Sequence, residues 1–109
     1  MPDYGSNQTG TLETITSAHR ALAILRALSR SPCGKSNEEI LSSWLDQLGM
    51  PSSRVTLRDC LDHLAARGLI AISQVQDLKV AEITRHGQEV GDGLAVIEGI
   101  ARLGVDCPY

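Results

Sequence analysis

Arg54 and Arg58 stand four residues apart in the run Ser53-Arg54-Val55-Thr56-Leu57-Arg58. On a helix that spacing projects two guanidinium groups together. Such groups fork onto planar acceptors, whether phosphate oxygens or the O6 and N7 edge of guanine. Ser52 and Ser53 come just before them, and hydroxyls beside the free amides of a helix start suit a phosphate. Simpler fates compete. Arg58 also lies four residues ahead of Asp62, the spacing of a surface ion pair, and Ser53 is accounted for as a helix cap. Cys60 and His63, three apart, share a helical face and make at most half a zinc site, since closed zinc sites take four ligands. Cys33, Cys60 and Cys107 are odd in number and widely spaced, so no disulfide framework is expected. There is no Gly-rich phosphate loop, no Ser/His/Asp constellation and no paired acids in a plausible cleft. The residues therefore point away from an enzyme. They nominate no catalytic group, cofactor, bound metal or small-molecule substrate.

These residues need a scaffold, and the composition bounds it. The chain has 109 residues and a formal net charge of −3, with 42% hydrophobic and 21% charged residues. That is one globular domain, able to bury roughly two-thirds of its unfolded surface. No apolar run approaches the roughly 20 residues of a membrane span, and the start, MPDYGSNQTG, lacks the basic and apolar parts of a secretory signal. A cytoplasmic protein is expected. Phe is absent, and aromatic side chains are limited to Trp44, Tyr4 and Tyr109. Readers of single-stranded nucleic acid stack bases on aromatic platforms, which this chain does not offer.

Periodicity supplies the elements. Residues 1–10 read as a loose arm. From Thr11, Ile15, Ala18, Leu22, Leu25 and Leu28 recur at helical steps, and Ser31-Pro32 ends that helix. Cys33-Gly34-Lys35 reads as a loop. Ser36-Asn37-Glu38-Glu39 has the form of a capping box, with Ser36 as cap and Glu39 reaching back to it. Ile40, Leu41, Trp44, Leu45 and Leu48 then form a buried face up to Gly49. A third helix starts at Ser53, faces Leu57, Leu61 and Leu64 inward, and ends at Arg67-Gly68. The tight link between these two helices has helix-turn-helix spacing. Leu69-Ile70-Ala71-Ile72 and Lys79-Val80-Ala81-Glu82-Ile83 read as two strands of a hairpin, and Thr84 caps a fourth helix to about Asp92. Residues 93–109 are Gly-interrupted yet apolar at Leu94, Ala95, Val96, Ile97 and Ile100.

The segment 58–90, RDCLDHLAARGLIAISQVQDLKVAEITRHGQEV, resembles the winged-helix regulators of the ArsR, MarR and PadR type. Its marks are a Leu-x-x-Leu helix running into Arg67-Gly68-Leu69-Ile70, a hairpin, and Ile83-Thr84-Arg85-His86-Gly87. With RALAILRALSRSP and SNEEILSSWLDQLG before it and Gly99-Ile100 after it, residues 18–100 look similar to the small ArsR-type proteins of Mu-like phages and prophages. The resemblance implies a mainly α fold with a small β-hairpin: a winged helix-turn-helix with a three-helix core, a two-stranded wing and a C-terminal helix, over residues 11–92. Metal-sensing regulators of that type carry paired Cys in the third helix, and Cys60 stands alone here.

The function so implied is a double-stranded DNA-binding transcriptional regulator. Its third helix would enter the major groove with Ser52, Ser53, Arg54, Thr56 and Arg58 at its leading end. Gln74, Gln76 and Lys79 at the hairpin tip, and Lys35 before the second helix, would touch backbone or minor groove. Charge objects to this. Residues 36–50 carry three acids and no base, and 87–109 are net −3, whereas phosphate neutralisation dominates DNA affinity. A homodimer, with 93–109 as dimerisation element, would offset weak single contacts. The alternative expectation is a winged helix serving only as a protein-interaction module, in a phage assembly or lysis-region complex, without DNA binding.

Overall fold

A computed structural model of the chain describes residues 4–104 and 107–109, with side chains from residue 11 onward. It is a mixed α/β domain of four helices and one three-stranded antiparallel sheet. In order these are α1 (Tyr4–Arg30), β1 (Lys35–Asn37), α2 (Glu38–Gln47), α3 (Arg54–Ala66), β2 (Ile70–Val75), β3 (Leu78–Ile83) and α4 (Arg85–Gly91). Among the described residues, no helix is long and apolar enough to cross a membrane.

The core is aliphatic, as the near absence of aromatics requires. Leu22, Leu25 and Leu28 of α1 meet Leu41 and Leu45 of α2 and Leu57, Leu61 and Leu64 of α3. Ile70 and Ala81 close it from the sheet. Each helix buries one stripe at three- and four-residue steps, because only that spacing keeps apolar side chains on one side. α1 departs from expectation at its start. The helix begins at Tyr4 rather than Thr11, so residues 4–10 of the expected arm are helical, while residues 1–3 lie outside the described residues. Ile15, expected in the core stripe, is exposed, because this part of α1 runs ahead of the other elements.

α1 stops at Ser31, whose extended backbone (ψ 151°) precedes Pro32. A 3-10 turn over Pro32–Gly34 reverses the chain. The next three residues are not a loop leading into a cap. They form β1, paired antiparallel to β3 through Lys35↔Glu82, Ser36↔Ala81 and Asn37↔Val80. The sheet order is β1-β3-β2, so the expected two-stranded wing gains a third strand. With Ser36 committed to that ladder, the capping box does not form. Asn37 caps α2 instead, accepting the Ile40 amide at 2.9 Å. Ile40, expected inside, is exposed.

The other two caps stand where the sequence puts them. Ser53 accepts from the Thr56 amide at 3.1 Å, and Thr84 accepts from the Gly87 amide at 3.1 Å. Gly87 is required by packing: a Cβ there would lie 2.1 Å from the Leu69 carbonyl oxygen. α4 is thereby seated against the start of β2.

Residues 93–109, expected as a possible dimerisation element, lie on their own domain, residues 105–106 being outside the described set. Ile100 is buried, and Ala95 and Ile97 pack partly against the core. The Ala101 amide donates to the Ala18 carbonyl at 3.0 Å, and the Tyr109 hydroxyl meets His19 Nδ1 at 3.0 Å. Leu94 and Val96 remain exposed.

Candidate nucleic-acid interface

The first turn of α3 gathers most of the nominated residues. Ser53 Oγ also donates to Thr56 Oγ1 at 2.9 Å, so both hydroxyls are engaged in starting the helix. Ser52 donates to the Met50 carbonyl at 3.0 Å. Its oxygen accepts from Arg20 Nε at 2.8 Å, which brings a cation of α1 to the start of α3. Sequence reasoning missed Arg20, because its contact with Ser52 spans 32 residues and no local period reveals it.

Arg54 and Arg58 project together, but towards α2. Both meet Glu38. Arg58 holds it two-handed, Nε to Oε1 at 3.0 Å and Nη2 to Oε2 at 3.2 Å. Arg54 Nε lies 3.3 Å from the same Oε1, and its Nη2 pairs with Glu39. The Lys79 amide also donates to Glu38 Oε2, and Arg58 Nη2 reaches the Asp77 carbonyl at 3.1 Å. One carboxylate thus ties α2, α3 and the hairpin together.

Glu38 is 2% exposed, Arg58 33% and Arg54 55%. The carboxylate is covered, but by groups that themselves face water. Burial pushes its pKa up, yet the Arg58 hydrogen bonds, the Lys79 amide and the charges of Arg58 and Arg54 outweigh this and hold it below the usual 4.5. Arg58 is correspondingly held further on the protonated side by its bond to Glu38. The two arginines differ in what they can release. The Arg54–Glu39 pair is a surface pair, worth about 0–1 kcal/mol. Removing Arg58 would leave a covered carboxylate without its main partner. Arg58, nominated as a DNA contact, is engaged in the structure as a tie from α3 to Glu38, and no ion pair with Asp62 forms.

Asp62 instead pairs with Lys79 at 3.1 Å, and Lys35 lies 3.8 Å from Glu82. Gln74 Nε2 donates to the Gln76 carbonyl at 3.3 Å, across a turn where Gln76 has a φ of 56°. The hairpin is held beside α3 by Arg58 and Glu38, but the nominated cations Lys79 and Lys35 are each matched there by an acid. Each nominated cation has an acidic partner in the chain. The outward side of α3 presents Val55, Asp59, Asp62 and His63.

Cys60 lines the cleft between α3 and α1 together with His63; burial pushes its thiol up to about 11, nearby Arg20 offsetting this only in part. That is an inert thiol, not a nucleophile. Among the described residues, no group of three or more His, Cys, Asp or Glu is placed to hold a metal ion.

Fold and site together define a small α+β domain whose second and third helices are cross-tied to a hairpin through one glutamate. Over 92 residues it is 34% identical to "Uncharacterized protein gp26" of Escherichia phage Mu, covering 84% of this chain and 94% of that protein. The chain belongs to the family of that phage Mu protein. No protein-family model matches it, and no solved structure matches it.

Proposed function

We propose that this phage-related protein is a winged helix-turn-helix module that binds double-stranded DNA as a transcriptional regulator, with α3 as the groove-entering helix. The observation that carries the reading is the leading edge of α3. Ser52, Ser53, Arg54 and Arg20 converge there at the helix start, and Arg54 is 55% exposed. Of its two carboxylate partners Glu39 is exposed, so a phosphate or a guanine edge can replace that one at little cost, while Glu38 keeps the two-handed hold of Arg58. Arg20 and Ser52 contact backbone phosphate beside the α3 amides. Arg58 stays on Glu38.

Binding by one copy is weak, because the outer side of α3 is acidic. Two copies joined through the exposed Leu12 and Ile15 of α1 and through Leu94 and Val96 would present two leading edges to successive half-sites.

A gel shift at low salt against random duplex tests the reading. Non-specific affinities for DNA-binding domains run at about 1–100 μM. A shift in that range, weakened by Arg54→Ala and by added salt, supports the proposal; no shift at tens of micromolar ends it. A second reading draws on a different observation. Val55, Asp59 and Asp62 on the outward side of α3 form an apolar and acidic surface that suits a protein partner better than a phosphate backbone. In that case the gel shift is absent for the wild type and for every variant.

A further inference from the structure

We propose that the cleft between α1, α3 and the C-terminal segment binds a small organic carboxylate carrying a short apolar stem. The cleft is open to solvent and holds about 160 Å3, with the exposed Ser17, His63 and Arg67 at its rim and Ala21, Leu64 and Ile100 beneath. A space on the order of 150 Å3 accommodates a molecule as large as benzene.

Arg67 carries the argument. Its Nη1 donates to the Glu98 carbonyl at 2.8 Å. The guanidinium lies close to Gly99, where φ is +87° and a Cβ would stand 3.1 Å from Nη1. The backbone therefore holds this guanidinium in place. Among the described residues no carboxylate lies within ion-pair distance of it, a condition it shares with Arg20, Arg30 and Arg102, whereas Arg26, Lys35, Arg54, Arg58, Lys79 and Arg85 each have an Asp or Glu in reach. A carbonyl partner fixes geometry without cancelling charge. Nε and Nη2 remain as donors for an anion.

His63, four residues earlier on the same face of α3, adds a ring N–H, and Ser17 adds a hydroxyl from α1. The apolar floor favours a stem of a few carbons over inorganic phosphate. Cys60, also in the lining, is kept a neutral thiol by burial and brings no competing charge. The inference does not depend on the DNA reading.

The test is a titration of the full-length, 15N-labelled chain with sodium butyrate, against sodium chloride at equal ionic strength, with sodium phosphate as a third arm. Saturable amide shifts confined to residues around Ser17, His63, Arg67 and Gly99 are expected, with a saturating rise in Tm. Arg67→Gln should cost roughly tenfold or more in affinity, as expected for a lost charge-assisted bond. That variant also weakens the Glu98 contact. His63→Gln, an exposed position, is the second probe, expected to weaken binding severalfold while leaving the Tm of the unliganded protein unchanged. No saturable response to butyrate, a response untouched by both substitutions, or equal saturation by phosphate would each overturn the proposal.

Discussion

Two arginines four residues apart, Arg54 and Arg58, end with different tasks because Glu38 can be gripped two-handed by only one of them. Arg58 has the fork and the covered site, and Arg54 has the edge and the solvent. This yields a pH prediction with a definite sign. The Glu38 carboxyl is held below 4.5 in the folded protein. Its contribution to stability is therefore complete above that pH and is lost as pH falls through the folded-state value. Glu38→Gln should lower stability at pH 7 by about 1–3 kcal/mol and flatten the acid limb of a Tm-against-pH curve below 4.5. Wild type and variant showing parallel acid limbs would remove Glu38 from the account. The same geometry separates two surface substitutions. Arg54→Ala should weaken duplex binding and reduce the salt slope by about 1. Glu39→Gln should strengthen binding by freeing Arg54, whereas a residue engaged only in capping would leave binding unchanged.

Among the elements, β1 altered the most around it. A three-residue strand claims Ser36, shifts the cap of α2 to Asn37 and turns Glu38 inward to face α3 and the hairpin. Asn37→Ala should therefore cost about 1 kcal/mol of stability. Ser36→Ala should stay within about 0.5 kcal/mol, whereas a working capping box would rank the two the other way. Chemical denaturation of both variants decides it. The junction of α4 with β2 is a second place where one residue sets an element's position. Gly87→Ala should destabilise by about 1–3 kcal/mol, because backbone and not a pliable side chain meets the new methyl.

In the molecule as a whole, charge and apolar surface pull in different directions. A net charge of −3, with most of the cations paired internally, keeps long-range attraction to DNA low. The C-terminal segment spends Ile100 on its own core and leaves Leu94 and Val96 outside, and the start of α1 leaves Leu12 and Ile15 exposed as well. Light scattering on the full chain should give twice the mass of 11.7 kDa if these surfaces pair, and Ile15→Glu should return the monomer. A monomeric mass at concentrations where duplex binding is seen would remove the two-half-site arrangement and leave a single reading helix.

Much of this fold was legible from the chain because its signals are local. The leucine spacing of α1, α2 and α3, the caps Ser53 and Thr84, and the hairpin between Ile70 and Ile83 depend on neighbours within a turn or a strand pair. The leading edge of α3 was legible for the same reason. β1 was not, since three residues acquire strand geometry only when β3 offers its free edge, far along the sequence. The roles of Glu38, Arg20 and Arg67 were equally hidden. Side-chain charge and type are written in the sequence, but their partners lie 20, 32 and 31 residues away. Whether a cation faces a phosphate, a carboxylate or a carbonyl depends on which surfaces packing brings together, and no periodicity along one element carries that information.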